Sequence, residues 1–432
     1  MRVLFSTIGS RGDVQPVVAL ASHLKALGHE VRVCAPPDFR EWIEGLGIPV
    51  TPIGQEVRRF AASRPMATQP QKPLTAEQRR QMAAATVATQ FATLTSAAQG
   101  CDVIVAATAL QVAARSVAEK IGIPYVFAAY APVVLPSPHH APPPLPPLPG
   151  QAPPTTNDNS ELWAQDGARF NDLFGGAVNA RRASLGLAEI SDARSHMMTD
   201  EPWLAADATL GPWPDPTDAR VIQTGAWILP DERPLSRDLD RFLESGGLPI
   251  YFGFGSTRAP EEAGPVMLHA ARALGRRAIV SQGWFDDSLL ENERDCLSIG
   301  EVNLHALFPR VAAVVHHGGA GTTTAAALAG APQVVIPNHY DQHYWAQRVH
   351  TLGIGTAHAA GAPTRDSVAS ALAQSLQPEV AVRARAVAGT VRRDGTKVAA
   401  ERLLRLHEWT CRSRVHRKFE CLFGRDILRA WK

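Results

Sequence analysis

Short buried runs alternate with amphipathic ones from the first residues onward. Arg2–Thr7 reads as a buried strand, residues 8–13 as a glycine-bearing loop, and the apolar positions Val17, Leu20, Leu24 and Leu27 as one face of a helix that stops at Gly28. Glu30–Ala35 follows as a second strand, closed by Pro36-Pro37. A strand–helix–strand unit of this kind implies a parallel pair, because its crossover returns the chain to the same edge. The alternation continues with a strand at 102–108, a helix at 111–121 and a strand at Tyr125–Ala129. It resumes later with a strand at 248–253, a helix at 261–274, strands at Ala278–Ser281 and 297–300, a short helix at 305–308, a strand at 312–316, a helix at 323–329 and a strand at 333–336. The expected class is α/β: two Rossmann-like, doubly wound domains.

What separates the two halves is proline. Residues 131–156 carry Pro142-Pro143-Pro144 and Pro146-Pro147, which no helix or central strand accommodates. The stretch is either a solvated spacer or an ordered loop that, with Tyr130, His139 and His140, walls a pocket. The loop reading is preferred because the preceding strand ends where α/β proteins place ligands. A second Pro- and Asp-rich stretch, 211–233, reads as an interdomain linker. The expected boundaries are a first domain at 1–215, a linker at 216–235, a second domain at 236–379, a terminal helix at 380–408 and a basic tail at 409–432.

Composition removes several classes of function. An apolar share of 45% with 19% charged residues suits packed cores and argues against a disordered chain. The net charge of +2 lacks the basic excess of non-specific nucleic-acid binders. That small excess is itself local, since 411–432 carries seven Lys/Arg against two acids and leaves the preceding chain slightly acidic. No apolar run approaches the roughly 20 residues of a membrane span, and no secretory signal is read at the start. Five cysteines without metal-ligand spacing suggest reduced thiols and a cytoplasmic location.

Three segments carry candidate chemistry. In Val314-Val315-His316-His317-Gly318-Gly319-Ala320-Gly321-Thr322 a strand feeds a glycine-rich turn that opens a helix, leaving unpaired N–H groups and the positive helix end for a phosphate. It is not a P-loop, lacking the Gly-Lys-Ser/Thr ending. Some twenty residues on, Asp341 and Gln342 offer a carboxylate and an amide suited to sugar hydroxyls, although Asp341 could equally N-cap the helix that follows. In Gly9-Ser10-Arg11-Gly12-Asp13-Val14-Gln15-Pro16, Asp13 stands at the start of the first helix, where it is either an N-cap or a general base aimed across a cleft. Asp238 and Asp240 have the spacing of a metal pair but read as the acidic first turn of a helix, and His339 with His343 lacks the Glu of a zinc-protease helix.

Taken together, Gly-Ser-Arg-Gly-Asp-Val-Gln-Pro, His316-His317-Gly318-Gly319-Ala320-Gly321-Thr322 and Asp341-Gln342 resemble the nucleotide-sugar glycosyltransferases of the GT-B fold. The stretches 200–207, Gln223-Thr224-Gly225-Ala226-Trp227 and Gly300-Glu301-Val302-Asn303-Leu304 resemble more closely the bacterial branch that glycosylates vancomycin-type aglycones, over about residues 1–408. The resemblance implies two domains facing across a cleft, acceptor in the first and donor in the second. It further implies an inverting transfer of a glucose-like hexose from UDP- or dTDP-hexose, in antibiotic biosynthesis, with no required metal or cofactor.

Residue by residue, it makes Asp13 the base and assigns the diphosphate to Ser10, Ser256, His317, Gly318, Gly319, Ala320, Gly321 and Thr322. It gives the nucleobase to the Val302 backbone and the sugar to Asp341 and Gln342, and leaves Tyr130, His139 and His140 for the acceptor. The chain departs from many relatives in having Glu301 for a stacking Trp and Ala325 for a ribose-binding Glu, so a thymidine donor is as open as a uridine one. A monomer is expected, with no nucleic acid and no integral membrane association. A sterol or lipid glucosyltransferase and a catalytically silent sugar-nucleotide binder are the alternatives. The tail receives no function.

Overall fold

The computed structural model describes residues 1–56, 74–108, 110–144, 156–215, 217, 220–255, 263–282, 294–359 and 362–423, with side chains of the last helix followed to Arg412. The first half is a parallel sheet of β1 (Arg2–Thr7), β2 (Glu30–Ala35), β3 (Val50–Pro52), β4 (Val103–Ala107), β5 (Tyr125–Ala129), β6 (Trp203–Leu204) and β7 (Ile222–Gln223), ordered β3-β2-β1-β4-β5-β6-β7. The second is a parallel sheet of β8 (Ile250–Gly253), β9 (Ala278–Ser281), β10 (Cys296–Ile299), β11 (Ala313–His316), β12 (Gln333–Val335) and β13 (Gly355–Ala357), ordered β10-β9-β8-β11-β12-β13. In each the order reverses beside the first strand, and a crevice opens there at the carboxyl ends of the strands. The α/β class with two doubly wound, Rossmann-like halves is thus observed.

Central strands β1, β4, β8 and β11 are almost wholly buried, as sheets covered by helices on both faces require. Six helices position the site: α1 (Arg11–Ala26), α2 (Asn159–Ser184), α3 (Ala320–Leu328), α4 (Gln342–Thr351), α5 (Pro378–Ala388) and α6 (Gly395–Phe423). Helix α1 buries Val14, Val17, Val18, Leu20 and Leu24 against its sheet, whereas Leu27, read as part of that face, caps the helix and is half exposed.

Two expectations change. The stretch read as a linker contains β7, whose Ile222 and Gln223 pair with Trp203 and Leu204, so the first sheet reaches past residue 215. The single helix expected at 380–408 is broken between Ala388 and Gly395, and its second part runs on to Phe423 across the expected start of the tail. At the start of the second part a Cβ on Gly395 would lie 2.2 Å from the carbonyl oxygen of Ala226, so the chain passes the Gly225–Ala226 backbone with nothing between. Beyond it, Ala399, Ala400 and Leu403 of α6 are buried in one cluster with Val14, Val17 and Leu20 of α1. The halves also share a core, since Trp345, Val349 and Ile354 pack in the cluster that holds Leu204, Leu210 and Trp213. Arg348 ties that seam by donating to the carbonyls of Leu210 at 2.8 Å and Thr209 at 3.0 Å.

Candidate active site

Between the sheets lies a cleft of about 2210 Å³, lined from one side by Ser10, Asp13, Tyr130 and Trp227 and from the other by His317, residues 319–322, Asp341 and Gln342. The first wall starts at the end of β1. Ser10 precedes α1, and its N–H (2.6 Å) and Oγ (2.9 Å) both donate to Oδ2 of Asp13. Oδ1 makes no hydrogen bond to a described residue and is left for the cleft. The backbone carbonyl of Asp13 is held separately, by the hydroxyls of Thr7 at 3.0 Å and Tyr130 at 3.1 Å. Burial raises the Asp13 carboxyl above the ordinary aspartate value, against the lowering effect of the Ser10 bonds.

Gly9 makes this geometry possible. Its φ of +138° lies outside the range other residues favour, and a Cβ there would stand 2.2 Å from Oδ2 of Asp13. The N-cap of α1 is Ser10 and not Asp13, which stands at the third helical position, bonds back to the Ser10 N–H and lines the cleft.

The opposite wall is the turn between β11 and α3. His316 is structural: buried, it accepts the N–H of Gly318 at Nδ1 (3.1 Å) and meets Gln333 Oε1 through Nε2 (2.9 Å). The Gly318 N–H is therefore already engaged, and Gly318 does not line the cleft; its φ of +91° carries the chain against Val335 and the backbone of Gln342. His317 does line it, and burial pushes its imidazole down to about 4, so it is neutral and can donate one hydrogen bond.

Gly319 occupies the N-cap of α3 without a side-chain cap, and no acid stands in the first turn. Of the three threonines, Thr323 and Thr324 bond back to the carbonyls of Gly319 and Ala320, while the Thr322 hydroxyl has no partner among the described residues and faces the cleft. Ala325 is buried at the same wall.

Asp341 stands at the N-cap of α4 but does not cap it; its Oδ2 accepts Trp345 Nε1 at 3.0 Å. Burial, reinforced by the charge of Asp13, raises its carboxyl to about 6. Gln342 spends its Oε1 on the N–H groups of Asn338 (2.8 Å) and His339 (3.2 Å), leaving only its amide NH₂ for the cleft. Val302 lines the cleft beside Glu301, and Glu301 lies 3.7 Å from Arg11 of the first half, whose guanidinium covers the Trp42 ring at 3.4 Å.

Not every expected site residue meets at the cleft. His139 is exposed, and His140 is tucked edge-on between Trp163 at 5.9 Å and Trp213 at 6.0 Å; neither lines the cleft, because the two indoles of the first half take up the histidine ring. Tyr130 does line it, but its hydroxyl is engaged with Asp13 and its ring meets Trp227 edge-on at 6.2 Å. Ser256 lies outside the described residues. Asp238 and Asp240 are indeed in the acidic first turn of a helix, Arg237–Glu244. Sequence reasoning missed Gly9, Trp227, Tyr340 and Trp345; an aromatic residue directly before the Asp341-Gln342 pair was the available signal for Tyr340.

The family 28 glycosyltransferase N-terminal domain matches residues 3–137, and the C-terminal domain of the erythromycin biosynthesis protein CIII-like family matches 288–397. The glycosyltransferase GtfE of Amycolatopsis orientalis is 49% identical over 93% of this chain and 97% of its own. The chain belongs to the vancomycin-group glycosyltransferases. Within that family, the vancomycin aglycone glucosyltransferase of the same organism is 48% identical over 94% of this chain and 97% of its own. The solved structure of the glycosyltransferase of kitacinnamycin, 19% identical, superposes with a TM-score of 0.70 over 94% of this chain and 98% of its own, a likeness of fold alone. This vancomycin-group member is an enzyme of glycosyl transfer with the GT-B architecture. Among its described residues no helix is long and apolar enough to cross a membrane.

Proposed function

We propose that this glycosyltransferase moves a glucose-like hexose from UDP- or dTDP-hexose to a hydroxyl of a glycopeptide antibiotic aglycone, with inversion, during antibiotic biosynthesis. The observation that carries the reading is the free Oδ1 of Asp13, presented across the cleft from an uncapped helix N-terminus and a neutral histidine. In this reading the diphosphate rests on the first-turn N–H groups of α3, the Thr322 hydroxyl and the His317 imidazole, which together stabilise the charge that builds as the sugar–phosphate bond breaks. Asp341 and the Gln342 amide hold the sugar. Val302 lies in the wall given to the nucleobase.

Asp13 takes the proton of the acceptor hydroxyl, whose oxygen forms the new bond to the anomeric carbon while the diphosphate leaves from the opposite face. Inversion follows from that single displacement. Burial makes the Asp13 carboxylate a stronger base than an exposed aspartate, which suits the task. The Phe39, Trp42, Tyr130 and Trp227 rings on the first wall favour an aromatic acceptor. The free thiols of Cys34, Cys101, Cys296 and Cys411 support a cytoplasmic site of action.

The test is mass spectrometry of reactions holding a vancomycin-type heptapeptide aglycone or a sterol with UDP-glucose or dTDP-glucose, beside Asp13→Ala. A hexose gain on the aglycone that disappears in the variant is the expected result. Transfer to the sterol alone overturns the acceptor, and undiminished transfer by Asp13→Ala overturns the base.

A further inference from the structure

Tyr340 stands between β12 and α4, directly before Asp341, and lines the cleft. Three independent features single it out. Its φ is +56°, a left-handed backbone that bulky residues avoid and that tends to persist where a site requires it. Its side chain is half-buried, and its hydroxyl makes no hydrogen bond to any described residue, which leaves that donor for the cleft. Burial, reinforced by the charges of Asp341 at the start of α4, Asp166 of α2 and Asp13 of α1, raises its phenol above the ordinary tyrosine value. Asp166 is paired with Arg194 at 2.7 Å and Oδ2 of Asp341 with Trp345, and neither carboxylate is hydrogen-bonded to the Tyr340 hydroxyl.

We infer that Tyr340 is a specificity-determining residue whose hydroxyl donates to one hydroxyl of the donor hexose. The ligand chemistry follows from the surroundings. A phenol that cannot ionise offers one proton, and a group that accepts it amid carboxylates must itself have protons to give back to them. A polyhydroxy ring does both, whereas an anion would be repelled by Asp13 and Asp341. Adjacency to Asp341 along the chain assigns the contact to the donor sugar in preference to the aglycone. The left-handed backbone turns Tyr340 into the cleft instead of along α4, which is the return on its conformational strain. This rests on the donor reading above.

Two variants separate the hydroxyl from the ring. Tyr340→Phe keeps the ring, and Tyr340→Asn tolerates the left-handed backbone while removing it. Calorimetry with the sugar nucleotide and with the bare nucleoside diphosphate reads binding without turnover. Tyr340→Phe is expected to weaken UDP- or dTDP-glucose about 5- to 10-fold, the usual effect of one lost hydrogen bond, and to leave the bare diphosphate unchanged. In turnover it should lower kcat/KM for glucose by the same factor, leave the acceptor KM alone, and have no effect on the one deoxyglucose donor that lacks the contacted hydroxyl. Tyr340→Asn should lose donor discrimination entirely. Equal weakening of sugar nucleotide and bare diphosphate, unchanged donor preference, or an effect confined to the acceptor KM overturns the assignment. If the parent transfers no hexose to any aglycone, the function is refuted while the calorimetric comparison still decides Tyr340.

Discussion

Two turns of the same construction face each other across the cleft and end differently. In each, a buried parallel strand runs into a glycine of positive φ, Gly9 after β1 and Gly318 after β11, and a helix begins two residues later. At α1 the protein supplies its own anion: Asp13 folds back to the Ser10 N–H and fills the positive helix end. At α3 the N-cap is Gly319, no acid stands in the first turn, and that end is left open. A filled helix end presents a base, and an open one accepts a charged ligand. One local architecture therefore serves opposite electrostatic purposes, and the choice of residue at the third helical position decides between them.

The contrast is broken most directly at Asp13. Asp13→Ala is expected to lower kcat by about 10²–10⁴-fold, the range of acid–base catalysis, with the nucleotide still binding at α3. Turnover within a few-fold of the parent would sink the base assignment.

Next in size is Gly9→Ala, which leaves Asp13 in the sequence but places a methyl against its carboxylate. A displacement of about 1 Å at a reacting group costs on the order of 10²-fold, so kcat should fall by that much while donor affinity holds. If steady-state kinetics show an unchanged kcat, the rigid placement of Asp13 is not what matters.

At the open end, Thr322→Val should raise the donor KM about 10-fold, as loss of a hydrogen bond to a charged group does, whereas Thr323→Val, whose hydroxyl bonds to Gly319, should leave it unchanged. Equal effects at both positions would show that the helix end acts without its hydroxyl.

The smallest effect concerns Asp341, whose pKa is raised to about 6. A raised carboxyl stabilises the folded state relative to the unfolded one at low pH, and that advantage is lost as pH climbs from about 4 through 6, so at pH 7 the buried charge is a net cost. Asp341→Asn keeps an acceptor for Trp345 and should raise the melting midpoint at pH 7 by about 1–2 °C, with the gain vanishing near pH 4, while weakening the donor. A midpoint difference independent of pH would show that the charge is not the cause.

How far this was legible in the sequence depends on where the information lies. Arg2–Thr7, Tyr125–Ala129 and Ala278–Ser281 appear where their apolar runs place them, since a strand buried on both faces writes its own signal, and Glu30–Ala35 appears where its alternation of exposed and buried residues gives way to a buried end. Trp203–Leu204 and Ile222–Gln223 are two residues each, too short for any periodicity, and exist as strands through pairing with β5 and each other. The need for a glycine at the start of α6 comes from a backbone 170 residues earlier passing Gly395, which no local pattern records.

At the site, residue types were legible and their bonds were not. The sequence offers Gly318 N–H and Gln342 as ligand groups alike, and only the folded chain shows the first bonded to His316 and the second half committed to its own loop. Likewise His139 and His140 follow the strand end as expected, but the indoles that capture His140 come from residues 23 and 73 positions away.

The return of α6 onto α1 bears on how such enzymes can be recombined. A chimera joined once, within 224–235, would receive with its foreign donor half a helix whose Ala399, Ala400 and Leu403 must fit the parent's Val14, Val17 and Leu20. The inheritable module is therefore discontinuous: the acceptor half consists of its own sheet together with the part of α6 that carries Ala399, Ala400 and Leu403. A graft with a second crossover within 389–394 would exchange donor preference while keeping that partnership intact.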